Sequence, residues 1–143
     1  MALSPDAAHQ SAGHRTHRSP YKLLGRIAES LRSTTRQEDV LARVGGDEFV
    51  LLAADCGDDG QLCELAMRLI TYLREAGERE FGSRFPISVS VGIATYPDRV
   101  ESIEELLDVA DAAMYTSKQR GRSTYTFGET PPKRASNVVT LAR

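Results

Sequence analysis

Residues 36–52 read RQEDVLARVGGDEFVLL, and this stretch decides the fold. Two apolar runs, Val40 to Val44 and Phe49 to Leu52, flank Gly45-Gly46-Asp47-Glu48. Short β-branched and aromatic runs on either side of a Gly-rich turn predict a β-hairpin. The glycines allow positive φ and let a ligand approach the main chain. Asp47 and Glu48 stand at the tip, where an apolar core has no use for them. Adjacent carboxylates beside bare backbone N–H groups suit a metal-bound phosphate. For a Gly-Gly-Asp-Glu taken alone, an ordinary solvated hairpin turn is the simpler reading.

Outward from the hairpin, the chain alternates helix and strand signals. Ser19-Pro20 reads as an N-cap followed by proline at the first helical position. Leu24, Ile27, Ala28 and Leu31 then recur at helical spacing and predict a helix over Tyr21 to Arg32. After the hairpin, Asp58 or Asp59 is placed to cap a second helix. Its stripe is Leu62, Leu65, Ala66, Leu69 and Leu73, with Gly77 as its expected stop and a charged connector from Glu78 to Phe85. Ile87, Val89, Val91 and Ile93 alternate with small residues, the pattern of a strand. Ser102-Ile103-Glu104-Glu105 reads as a capping box opening a third helix. The expected buried stripe of that helix is Ile103, Leu106, Leu107, Ala110 and Met114, ending at Gly121. Ser123 to Phe127 predicts a short edge strand. Strands and helices in this order give an α+β domain.

Composition bounds the function. The chain has 143 residues, 41% apolar and 27% charged, enough for one soluble domain with its own core. Its net charge of −2 argues against a general nucleic-acid binder. No apolar run reaches membrane-span length, and the N-terminus shows no secretory h-region. Cys56 and Cys63 have no metal-site spacing and read as reduced thiols, which points to the cytoplasm. His9, His14 and His17 lack a completing cysteine or carboxylate, so they read as surface histidines rather than metal ligands.

Gly45 to Phe49 spells the GGDEF signature, and the chain resembles the GGDEF family of diguanylate cyclases. Two further segments carry the resemblance. Arg36-x-x-Asp39 stands at the spacing of that family's product-binding inhibitory site, and Ala110 to Arg122 is similar to its second hallmark. The resemblance covers about Tyr21 to Phe127. It implies a palm-like, nucleotidyl-cyclase-like antiparallel sheet with packed helices. It also implies condensation of two GTP molecules into cyclic di-GMP with release of pyrophosphate, on two domains facing each other as a homodimer, with Mg²⁺ or Mn²⁺.

Carried over residue by residue, the resemblance gives Gly45 and Gly46 contact with the ribose and α-phosphate. Asp47 becomes a metal ligand, and Glu48 helps to deprotonate the 3′-hydroxyl, directly or through the metal. Lys118 and Arg122 hold the terminal phosphates, where the simpler reading is cations at a helix C-terminus. Arg36 and Asp39 bind cyclic di-GMP as inhibitor, with Arg68 as a further basic contributor. An upstream sensor domain is the kind of partner such a domain takes.

One departure is expected. The family's first core strand carries a second metal-binding Asp, and no apolar strand run is visible between Met1 and Arg18. The family's Gly-His-x-x-Gly-Asp segment survives only as Gly13-His14-Arg15-Thr16. The sequence therefore divides into a disordered or divergent arm at 1–18, an N-terminally truncated GGDEF domain at 19–129, and a flexible tail at 130–143. Two functions follow from this division. One is a diguanylate cyclase of weak or no activity; the other is a non-catalytic module that binds cyclic di-GMP through Arg36 and Asp39, with a non-functional remnant as a third reading.

Overall fold

The structure, a computed structural model, describes residues 1–7, 20–83 and 86–130. In chain order the elements are β1 (Ala2–Ala7), α1 (Pro20–Thr34), β2 (Val40–Gly45), β3 (Glu48–Leu52), α2 (Asp59–Phe81), β4 (Ile87–Ile93), α3 (Glu105–Gln119) and β5 (Thr124–Phe127). The strands form one sheet in the order β2-β3-β1-β4-β5. Pairing is antiparallel from β2 to β4, and β5 joins parallel to β4.

The expected absence of a first strand is corrected. β1 lies between β3 and β4, with Leu3 opposite both Phe49 and Val91. The residues of the supposed arm from Ala2 to Ala7 therefore belong to the sheet, while 8–19, including the three histidines and Gly13-His14, lie outside the described residues, as does 131–143. The strand was hard to read because Ala-Leu-Ser-Pro-Asp-Ala holds one large apolar residue and a proline. Proline in a central strand normally breaks a ladder. Here Met1 exchanges both backbone bonds with Leu51 at 2.9 Å, so odd-numbered residues of β1 aim their backbone groups at β3. β3 pairs with β1 only at Ala2 and Leu3. The N–H that Pro5 lacks would point past the end of that ladder, where nothing is lost.

Alternation along the strands makes two faces. Leu3, Phe49, Leu51, Val89, Val91 and Ile93 pack beneath α1 and α2, against Ile27, Leu31, Leu62, Ala66, Leu69 and Leu73. Each large apolar side chain buried in this way contributes about 1.5–3 kcal/mol. The opposite face carries small residues: Ala2, with Ala110 and Met114 of α3 packed on it, and the buried Ser4 and Ser90. α3 lies almost on the backbone of Gly92. A Cβ there would fall 1.9 Å from the Ala110 carbonyl oxygen and 2.3 Å from Met114 N.

Two helix boundaries differ from expectation. α2 begins as predicted, with Asp58 Oδ1 accepting from Gln61 N–H at 2.9 Å. It runs through Gly77 to Phe81, and Gly82 at φ +75° ends it. Gly77 is buried in mid-helix because β4 approaches there; an added Cβ would meet Ile87 Cδ1 at 2.6 Å. The expected capping box does not form: Glu104 is the N-cap and makes no side-chain cap bond. Glu105 instead accepts from Thr130 Oγ1 at 3.1 Å, tying the start of α3 to the residues after β5. With the helix starting later, Ile103 and Leu107 are exposed, and the buried positions are Ala110, Ala113, Met114 and Ser117.

Candidate active site at the hairpin turn and the end of α3

The signature turn is as tight as a hairpin allows. Gly45 pairs with Glu48, leaving Gly46 and Asp47 as the two turn residues. Gly46 takes φ +44°, which only glycine adopts without strain. Neither Gly45 nor Gly46 has an atom within 4 Å of where a Cβ would stand, so the main chain at the tip is bare. Asp47 and Glu48 are half-buried beside it. Arg43 Nε donates to the Gly46 carbonyl at 2.9 Å and closes the turn from the strand side.

Phe49 points into the core under α1 and α2, so its neighbour Glu48 stands on the α3 face. There Lys118, near the end of α3, brings Nζ within 4.0 Å of Glu48 Oε1. The structure thus joins the two hallmark segments, 70 residues apart in sequence, at one place. The last turn of α3 is held down by Ser117, whose buried hydroxyl hydrogen-bonds the Val91 carbonyl and Thr126 Oγ1, each at 2.8 Å. Beyond the helix, Gly121, Arg122 and Ser123 all have positive φ, at 105°, 65° and 49°. The Arg122 N–H returns to the Ser117 carbonyl at 3.2 Å, so this left-handed run caps the helix and sets where Arg122 leaves the chain. Arg120 is exposed.

Asp6 is a residue that sequence reasoning passed over. β1 runs antiparallel to β3 from Ala2, opposite Val50, through Leu3, opposite Phe49, and so toward the signature turn. Asp6 stands three positions further along, paired with Ser88 of β4. The signal that could have found it is a carboxylate two residues after a small-residue strand core, and the proline obscured that core. Ser4 and Ser90 are paired directly across β1 and β4, fully buried, and neither hydroxyl has a hydrogen-bond partner.

The predicted inhibitory pair lies in the turn between α1 and β2. Asp39 is buried, and its Oδ2 accepts from the Arg36 backbone N–H at 2.8 Å, while Oδ1 has no partner. The Arg36 side chain is exposed. Arg68 lies on α2 in a shallow depression with Met67, Thr71, Tyr72 and Glu75, which contains neither Arg36 nor Asp39. At the opposite end of the strands from the signature turn, a groove of about 750 Å³ is lined by Met1, Leu52, Cys56, Tyr96, Ile103 and Leu107. None of the sequence-predicted site residues lines it. Among the described residues no three His, Cys, Asp or Glu side chains cluster at metal-binding distance.

A mixed sheet with helices on both faces makes this an α+β domain, in which an acidic hairpin turn meets the basic end of a helix. Residues 11–124 match the family described as "Diguanylate cyclase, GGDEF domain", and the chain belongs to that family. It is 41% identical over 109 residues to the bifunctional diguanylate cyclase/cyclic di-GMP phosphodiesterase MucR of Pseudomonas aeruginosa, covering 75% of this chain and 15% of that protein. It is 32% identical over 113 residues to diguanylate cyclase TpbB of the same species, covering 79% of this chain and 26% of that protein. The chain therefore spans about a quarter or less of the length of these relatives. The crystal structure of the GGDEF domain of PA1120 from Pseudomonas aeruginosa superposes with a TM-score of 0.70 at 27% identity, covering 91% of this chain and 82% of that one. The expected family and α+β fold both hold. Among the described residues no helix is long and apolar enough to cross a membrane.

Proposed function

We propose that this domain condenses two molecules of GTP into cyclic di-GMP, releasing pyrophosphate, with a divalent cation and as a pair of domains facing each other in the cytoplasm. The observation that carries this reading is the meeting of Glu48 and Lys118 at 4.0 Å across the bare glycine turn. A cation that grips phosphate and a carboxylate that handles a metal or a proton are both needed at a phosphoryl-transfer centre.

The donor set fits Mg²⁺ or Mn²⁺. Magnesium is commonly bound by one or two carboxylates together with substrate phosphates, rather than by an all-protein cage. Asp47 and Glu48 would hold it. When bound, the cation would activate the 3′-hydroxyl and neutralise the leaving pyrophosphate. The chain's own residues do the rest. Gly45 and Gly46 leave the turn open to the ribose and α-phosphate. Glu48 takes the hydroxyl proton, and Lys118 and Arg122 bind the terminal phosphates. Lys118 is partly exposed, at 25%, so it can leave Glu48 when a triphosphate arrives.

Arg36 and Asp39, with Arg68 as a further basic group, are proposed to bind the product and restrain the enzyme. The unpartnered Asp39 Oδ1 is the acceptor available for a guanine N–H once the side chain turns outward. The test is incubation with GTP and Mg²⁺, followed by chromatography for cyclic di-GMP. The expected result is product from the wild-type chain, at a rate that rises faster than linearly with protein concentration. Asp47→Ala should abolish it, and Arg36→Ala should leave synthesis intact while relieving product inhibition. Absence of product from the folded wild-type chain, with cyclic di-GMP still bound in calorimetry, would replace this reading by the binding module.

A further inference from the structure

The bond from Arg43 Nε to the Gly46 carbonyl, 2.9 Å long, has a consequence for the other side of the turn. Gly46 and Asp47 are the two central residues of the hairpin turn, between the paired Gly45 and Glu48. Two-residue hairpin turns come in two forms that differ chiefly by a flip of the peptide joining the central residues. One form needs positive φ at both residues; the other needs it only at the first. Gly46 is at φ +44° and Asp47 is outside the left-handed region, which excludes the first form. The Gly46 carbonyl belongs to the peptide that flips, and Arg43 holds it.

In a planar trans peptide the C=O and the following N–H point in opposite directions. Holding the Gly46 carbonyl therefore also aims the Asp47 N–H. Two residues before Arg43 on the same strand, Leu41 packs against the core beneath α1 and α2, so Arg43 starts from that face. Glu48 and Lys118 lie on the other face. A carbonyl drawn toward Arg43 turns the Asp47 amide toward Lys118.

We propose that Arg43 is a positioning residue: by holding the Gly46 carbonyl it directs the Asp47 N–H to the Lys118 side of the turn, where that amide donates to the α-phosphate oxygens of the bound nucleotide. The inference deepens the proposed cyclase reaction and rests on it. A fixed backbone donor aimed at an oxygen that gains charge in the transition state lowers the barrier without reorganising. The flipped turn would present the Gly46 carbonyl oxygen instead, which repels phosphate.

The experiment uses the full chain, wild type and with Arg43→Ala or Arg43→Lys, each confirmed folded by its melting transition. Steady-state synthesis of cyclic di-GMP gives kcat and KM for GTP. In parallel, ¹⁵N-labelled protein is titrated with the α,β-methylene analogue of GTP and Mg²⁺, and the Asp47 amide resonance is followed. The expected result for Arg43→Ala is a fall in kcat of roughly tenfold to a hundredfold with KM changed much less. The Asp47 amide should move on analogue binding in the wild type and fail to move in Arg43→Ala. Arg43→Lys, which keeps a donor, should recover part of both effects. A merely structural clamp would lower the melting temperature but leave kcat and the amide response of the folded fraction unchanged, and that outcome overturns the proposal. So does an Asp47 amide that ignores the analogue in the wild type. If the wild type binds the analogue but makes no cyclic di-GMP, the cyclase reading fails by itself, and the amide response alone decides the role of Arg43.

Discussion

Lys118 and Glu48 were legible from the sequence because each sits in a hallmark segment; their 4.0 Å approach was not, since it depends on where α3 ends. Arg43 was legible only as a strand residue. Nothing in its spacing announces a bond to a carbonyl three residues on, since that bond needs the particular flip of the Gly46 peptide. Asp6 was hidden for a different reason, the proline beside it. Residue-scale strain is concentrated after α3, where Arg122 and Ser123 occupy left-handed backbone. A non-glycine residue in that region costs about 1–2 kcal/mol, part of which glycine returns as chain entropy. Ser123→Gly is therefore expected to stabilise the fold by about 0.5–1 kcal/mol in urea titration, with synthesis unchanged, because Ser123 has no part in the chemistry.

Among the elements, the ones with a single strong period were read correctly. α1 buries Ile27 and Leu31 and β4 buries Ile87, Val89, Val91 and Ile93 as their periods predict, although β4 is covered on its small-residue face as well, where α3 lies on Gly92. α2 was cut short because Gly77 looks like a stop, and only the packing of Ile87 against it shows why glycine sits inside a helix. α3 was started too early because Glu105 has a better partner in Thr130 than a capping box offers. Gly92 tests the α3–β4 contact. A methyl there would collide with the α3 backbone, not with a side chain that can swing away. Gly92→Ala should cost about 3 kcal/mol or more, at or above the usual range for overpacking. It should also lower cyclic di-GMP synthesis in the folded fraction, since α3 carries Lys118. A melting temperature within a degree of wild type would show that the helix is not seated as described.

At the scale of the whole molecule, the sheet order could not be read from periodicity at all. The family resemblance implied a palm-like sheet without its order, and β1 stayed hidden because its run holds one large apolar residue and a proline. The Met1 nitrogen donates to the Leu51 carbonyl, here as a free amino group. Burial lowers the pKa of this amine from 8.0 to about 6, with Cys56 opposing the shift. The unfolded chain then binds more protons than the folded one between pH 6 and pH 8, so stability rises with pH across that window. A chain with a free amine at Met1 should be on the order of 2–3 kcal/mol less stable at pH 5.5 than at pH 8.5 from this group. A chain extended ahead of Met1 should lose that dependence, because a peptide N–H makes the same bond without a charge to desolvate. Equal pH profiles for the two would refute the assignment.

β2 has a sheet neighbour on one side only. The strand that leads into the signature turn is thus also the sheet's outer rim, with Val40 and Val44 each 56% exposed. Opening it breaks one ladder, whereas opening β4 breaks two. Rim and interior should accordingly part company in deuterium uptake: the amide of Ala42 should exchange well before those of Ser90 and Gly92, which face β1. The signature turn would then be borne on one of the sheet's two rim strands, free to breathe while the interior ladder stays shut.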